Sequence, residues 1–85
     1  MINVRVFGPL REMLGMGSLR VDASEAKTVN ELLTVISKMT GLAKPSELRN
    51  ASIFVNGTNI ISLKLFKTAV GPGDEVVLLS PIGGG

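Results

Sequence analysis

The sequence predicts an α+β fold, in which a mixed β-sheet carries one long helix across one face. Three observations support this prediction. The segments follow the order strand, strand, helix, strand, short strand, strand along 85 residues, a length that suits one small domain. Only one helical pattern is long, and a single long helix packs most economically across one face of a sheet. The first and last strands are predicted to lie side by side at the centre of the sheet, with that helix in the crossover between them.

The chain begins with strand periodicity. Apolar residues at positions 2, 4 and 6 alternate with Asn3, Arg5 and Phe7. Gly8-Pro9 breaks the run, and Pro9 suits the first position of a short helix, where its missing N–H costs nothing. The apolar face predicted for that helix consists of Leu10, Met13 and Leu14. A second strand is predicted over residues 18–23.

The clearest helix starts after Thr28. Thr28 is a natural N-cap, and Glu31 three residues later completes the pattern of a capping box. Gly41 marks the end of the helix. Its apolar side chains recur at helical spacing, which predicts a buried stripe. The stripe consists of Val29, Leu32, Leu33, Ile36 and Met39.

The second half of the chain returns to strands. A third strand is predicted over residues 52–56, and Asn56-Gly57 is typical of a type I′ hairpin turn. A short strand then follows over residues 59–63. Residues 71–74 form another turn, and residues 75–80 form the last, strongly apolar strand. This order describes the β-grasp, or ubiquitin-like, fold.

Alternation assigns the two faces of the sheet. The core face takes Ile2, Val4, Val6, Ile53, Val55, Val76 and Leu78. The opposite face then takes Phe7, Phe54, Val77 and Leu79, which we call the apolar patch. Arg5 lies beside it as a polar rim contact. An exposed patch of this kind usually marks a surface that binds a partner protein. The alternatives are that a loop covers it or that these are ordinary scattered surface apolar residues.

Composition excludes several functions. The chain has neither His nor Cys, so it lacks the residues most used as general base or activated nucleophile near neutral pH. Its basic residues are scattered and it has only three aromatic residues, which disfavours nucleic-acid binding. We expect no metal site, no bound cofactor and no membrane span. The absence of cysteine and of a visible signal peptide fits a cytoplasmic protein.

The end of the sequence is the remaining candidate for chemistry. We expect residues 1–81 to form the domain and residues 82–85 to form a flexible Gly-rich tail. Three glycines provide backbone without side chains, which could thread a channel too narrow for a Cβ atom. Pro81, Ile82 and Gly83 would contact the partner, and Gly84 and Gly85 would carry the reactive end. A terminal carboxylate is ionised at neutral pH and is a poor electrophile, so a partner must activate it, for example by adenylation.

These features together resemble the MoaD/ThiS family of sulfur carriers, and most closely the small subunit of molybdopterin synthase. The similarity covers nearly the whole chain. It rests on residues 2–7, 10–12, 28–29, 55–57 and 73–76, Pro81 and Gly84-Gly85. Two features depart from the common pattern of the family: Gly83 extends the diglycine to three, and Ser80-Pro81 stands where two prolines are common.

The resemblance implies a sulfur carrier and not an enzyme. A ubiquitin-activating-type (MoeB-like) adenylyltransferase would use ATP and Mg²⁺ to adenylate Gly85. A sulfur donor would then convert the carboxyl group to a thiocarboxylate. The large subunit of molybdopterin synthase would receive the tail and pass the sulfur to a pterin precursor in molybdenum cofactor biosynthesis. By position, Phe7 and Leu79 match the hydrophobic contact surface of the family.

Three alternatives remain open at this stage. The carrier could serve another pathway: thiamine thiazole synthesis, tRNA thiolation or a tungsten-pterin cofactor. The chain could be a ubiquitin-like protein modifier that is conjugated to lysine through Gly85. It could also be a non-covalent binding module of the RNA-binding β-grasp type, although the scattered basic residues count against this.

Overall fold

A computed structural model describes residues 1–80, which form a mixed five-stranded sheet with its helices on one side. The strands are β1 (Ile2–Phe7), β2 (Ser18–Val21), β3 (Ser52–Val55), β4 (Thr58–Asn59) and β5 (Glu75–Leu79), in the spatial order β2-β1-β5-β3-β4. The helices are α1 (Pro9–Leu14), α2 (Val29–Thr40) and α3 (Pro45–Leu48), with short 3₁₀ turns at Ala23–Glu25, Ile60–Ser62 and Leu65–Lys67. The predicted β-grasp architecture is confirmed.

The first and last strands are the central pair of the sheet. β1 and β5 run parallel, whereas the pairs β1–β2, β3–β5 and β3–β4 are antiparallel. The turn before β5 closes over the start of β1, because the Gly73 N–H donates to the Met1 carbonyl at 3.0 Å and the Asn3 N–H to the Asp74 carbonyl at 2.9 Å. The chain between the two strands therefore has to cross the sheet, and α2 lies in that crossover.

The predicted cap of α2 is present in part. The Glu31 N–H donates to the Thr28 hydroxyl at 3.2 Å, as expected of an N-cap. The Glu31 carboxylate, however, accepts from the Lys27 N–H at 2.7 Å and not from Thr28, so the reciprocal half of the capping box lies one residue earlier than predicted. Gly41 ends the helix in the left-handed conformation with φ 65°.

The buried stripe of α2 is shorter than predicted. Val29, Leu32, Leu33 and Ile36 are fully buried against the sheet, whereas Met39 in the last turn is 53% exposed. The segment that follows α2 supplies Leu48 to the core. The predicted place of Met39 in the core was therefore wrong, because helical spacing does not show where the covered surface ends.

The hairpin between β3 and β4 follows the predicted turn but not the predicted strand. Asn56 and Gly57 both have positive φ, at 50° and 85°, as a type I′ turn requires. β4 then has only two residues, and the strand predicted over residues 59–63 is replaced by a 3₁₀ turn. The cause is local: the Asn59 side chain accepts the Ile61 N–H at 2.9 Å, which competes with continued strand pairing.

The face assignment made from alternation is confirmed for the three strands that matter to the site. The seven side chains assigned to the core face are all buried there: Ile2, Val4, Val6, Ile53, Val55, Val76 and Leu78. Separately, none of the helices within residues 1–80 is long and apolar enough to span a membrane.

Two neighbouring valines of β5 test these faces. Val76→Ala removes a fully buried side chain, and we expect it to lower the free energy of unfolding by about 2 kcal/mol or more. Val77→Ala lies on the opposite face, half-buried, and should cost less than about 1 kcal/mol. Urea denaturation of both variants measures the difference, and equal losses would contradict the assignment.

Candidate functional site

The apolar patch lies where the three middle strands present their uncovered face. Phe7 of β1 is in register with Leu79 of β5, and Val77 of β5 is in register with Phe54 of β3. Phe7 is 37% exposed and Leu79 43% exposed, while Val77 and Phe54 are half-buried. The prediction that these four side chains share one face is therefore confirmed by the register and the exposure together.

Arg5 forms one edge of the patch. It is in register with Val77, and its Cζ atom lies 5.5 Å from the centre of the Phe7 ring. A guanidinium at that distance from an aromatic ring makes a cation–π contact, in which the ring electrons attract the positive charge. Arg5 thus places a positive charge against one of the two aromatic rings of the patch.

Polar residues complete the rim. Ser52 is in register with Leu79, and Asn59 with Phe54, while Glu75 pairs with Asn3 towards the start of the two central strands. An apolar centre with a polar, solvated rim is the usual anatomy of a protein–protein interface. The sheet face therefore offers a ready surface for a partner.

The apolar patch ends where β5 meets the start of α1. The short helix begins at Pro9 as predicted, and it buries Leu10 and Leu14. Met13 was wrongly predicted to join that apolar face: it is exposed, since a six-residue helix packs only one narrow stripe. Ser80, the residue after β5, is hydrogen-bonded to this helix start. Sequence reasoning missed the contact, because its partners are 70 positions apart and no local pattern joins them.

The predicted tail lies outside the described residues. This applies to Pro81, Ile82 and Gly83 as contact residues and to Gly84 and Gly85 as the reactive end, and to the boundary between residues 81 and 82. These assignments stay predictions.

Two aspartates stabilise backbone turns through their carboxylates. Asp74 accepts the Gly71 N–H at 2.8 Å and an Asn56 side-chain N–H at 3.1 Å, so it stabilises the turn before β5. Hydrogen bonds from the backbone N–H and the hydroxyl of Ser24 lower the pKa of Asp22, which caps the turn after β2. A lowered carboxyl pKa suits a cap and not a general acid. Over residues 1–80, no cluster of three or more potential ligands among His, Cys, Asp and Glu could hold a metal ion.

Comparison with known proteins identifies the family. The model of the ThiS family matches residues 4–85 of this chain. The chain belongs to the ThiS family. A relative from Archaeoglobus fulgidus, described as a putative sulfur carrier protein, is 38% identical, with 85% of this chain and 89% of that protein covered. The resemblance to MoaD/ThiS proteins is thereby confirmed.

Two solved structures share the fold. Small archaeal modifier protein 1 of Haloferax volcanii superposes with a TM-score of 0.81 at 23% identity, covering 99% of this chain and 98% of that one. In the complex of subunits 1 and 2 of the molybdopterin-converting factor from Helicobacter pylori, the matching chain has a TM-score of 0.65 at 25% identity, with 99% and 97% covered. Membership of this family identifies the chain as a ubiquitin-like carrier protein that is not itself a catalyst.

Proposed function

We propose that this chain is the sulfur-carrying subunit for molybdopterin synthesis, and that Gly85 carries the sulfur as a thiocarboxylate in the mature protein. The observation that carries the proposal is the apolar patch, which occupies the uncovered face of the strand that leads directly into residues 81–85. A partner seated on this face is close to the point where the chain leaves the sheet. The 25% identity to a chain solved in a complex of two molybdopterin-converting factor subunits gives further support.

The docking step uses the body of the protein. The large synthase subunit and the MoeB-like adenylyltransferase each bind the apolar patch, one at a time. Phe7 and Leu79 are the most exposed of its four residues, and so they lose the most contact with water on binding. An aromatic anchor at the centre of an interface commonly contributes a large share of the affinity. Arg5 holds the Phe7 ring in place before the partner arrives.

The chemical steps take place at Gly85 in the partners' active sites. A carboxylate oxygen of Gly85 attacks the α-phosphorus of ATP, and pyrophosphate leaves with Mg²⁺. Sulfide delivered by a sulfur donor then attacks the acyl carbon and expels AMP, which leaves the thiocarboxylate. Its sulfur displaces an oxygen substituent from a carbon of the pterin precursor, which gives a thioester. Water then attacks the acyl carbon and breaks its bond to sulfur, so the carboxylate is restored and the sulfur stays on the pterin. The carrier has neither His nor Cys, so its partners supply the acid–base groups for each step.

Docking through the apolar patch can be tested with two leucines of equal exposure. Leu79 in the patch and Leu63 outside it are both 43% exposed. We expect Leu79→Ala to weaken binding to the large subunit by about 1–2 kcal/mol, and Leu63→Ala to leave it unchanged. Isothermal titration calorimetry measures the affinity, and thermal denaturation shows that both variants remain folded. Equal effects of the two substitutions on binding would place the interface elsewhere.

Loading of Gly85 can be tested by intact mass spectrometry. After incubation with ATP, Mg²⁺, the adenylyltransferase and a sulfur donor, we expect the mass gain that replaces one oxygen atom by sulfur. Removal of Gly85 should abolish this gain without changing the melting temperature, since the last strand ends at Leu79. Gly71→Ala is the matched control, because a Cβ atom there meets open space.

Three results would distinguish the sulfur carrier from the alternatives. A truncated chain that still accepts sulfur would contradict the role of Gly85. Lysine-linked adducts in cells, without a thiocarboxylate, would favour the protein modifier. A thiocarboxylate that does not support molybdopterin formation would point to another sulfur pathway.

A further inference from the structure

The residue after β5 is tied to the start of α1. The Leu10 N–H donates to the Ser80 hydroxyl oxygen at 2.8 Å, and this bond is partly buried. The Ser80 N–H and hydroxyl both lie 3.4 Å from the Phe7 carbonyl oxygen, at the end of β1. One serine thus joins the ends of both central strands to the helix that follows the first of them.

The hydrogen bond from Leu10 to Ser80 satisfies a backbone N–H at the start of α1. The first N–H groups of a helix have no partner within it and are usually satisfied by the side chain of the N-cap residue. Here the N-cap residue is Gly8, which has no side chain to offer. Ser80 provides the missing acceptor from 70 positions further along the chain.

Gly8 makes room for this contact. A Cβ atom at position 8 would lie 2.8 Å from the Ser80 carbonyl oxygen and 2.9 Å from its hydroxyl oxygen, both closer than real Cβ atoms approach. Gly8 also has φ 76°, which other residues rarely adopt. The backbone at the N-cap of α1 therefore approaches Ser80 more closely than a residue with a Cβ atom would permit.

We propose that Ser80 is a positioning residue, a role that rests on the proposed function. Its hydroxyl fixes the backbone at residue 80, the last described position before residues 81–85, next to Phe7 and Leu79. Fixing that point before docking lowers the entropy lost when Gly85 enters an active site.

A purely structural cap would have a different signature. Loss of a helix cap lowers the free energy of unfolding but does not change how the folded protein meets its partner. Thr28 offers the matched case, because its hydroxyl accepts the Glu31 N–H at 3.2 Å at the start of α2, in a different part of the sequence from β5. Thr28→Ala therefore removes the same kind of bond without touching Ser80.

The test compares Ser80→Ala, Ser80→Thr and Thr28→Ala in ATP–pyrophosphate exchange with the adenylyltransferase that loads the wild-type chain. For Ser80→Ala we expect KM for the carrier to rise about fivefold, the value of one ordinary hydrogen bond, with kcat unchanged. Ser80→Thr should keep the wild-type KM, because it retains the hydroxyl. Thr28→Ala should keep both constants. Faster amide hydrogen exchange at Leu10 in Ser80→Ala alone would show that the bond was lost.

Two results would overturn the positioning role while leaving the carrier intact: a wild-type KM for Ser80→Ala, or an equal rise for Thr28→Ala. Failure of the wild-type chain to be adenylated would overturn the proposed function, and the positioning role with it.

Discussion

The parallel pairing of β1 and β5 is the constraint on which the rest of the structure depends. It places Phe7 directly beside Leu79, so residues from the two ends of the sequence belong to one surface. It also brings the end of β5 to the start of α1, where Ser80 meets Leu10. Because parallel neighbours need a long crossover, the same pairing requires the intervening chain, and with it α2, to pass over the sheet.

Coverage by a single long helix makes the two faces of the sheet unequal. Leu32, Leu33 and Ile36 of α2 share one buried core with the inner side chains of β1, β3 and β5. Within the described residues of this 85-residue chain, no second layer of helices covers the other face of the sheet. The apolar side chains on that face therefore stay accessible to solvent. The partner surface is thus a consequence of the size of the domain as much as of its sequence.

Local patterns predicted most of the fold. Successive side chains of a strand point to opposite faces, so once the inner residues of β1, β3 and β5 had been chosen, the outer residues followed from counting. The Asn56-Gly57 turn was readable because few residues tolerate positive φ at both positions. The wrong predictions share one cause: a periodic sequence pattern does not show which other contacts a residue makes or where its packing partner ends. At Asn59 a side-chain hydrogen bond ended the strand, and at Met39 the covered surface ended before the apolar stripe did.

The site divides in the same way. The four residues of the apolar patch followed from alternation alone, whereas the bond between Ser80 and Leu10 joins residues 70 positions apart. Its only traces in the sequence are the serine that follows the last strand and the glycine before Pro9. Neither residue indicates the other until the pairing of the central strands brings them together.

The composition of the chain determines where specificity lies. The last three residues are glycines, which offer a partner no side chain to recognise. The carboxylates of Glu31, Glu47 and Asp74 accept backbone N–H groups in caps and turns, which assigns them a structural task. The sheet face, where Arg5 and Ser52 border the apolar patch, does offer side chains to a partner. Leu79 of the apolar patch is followed directly by Ser80 and residues 81–85, so the proposed function couples docking on this face to delivery of the carboxyl end.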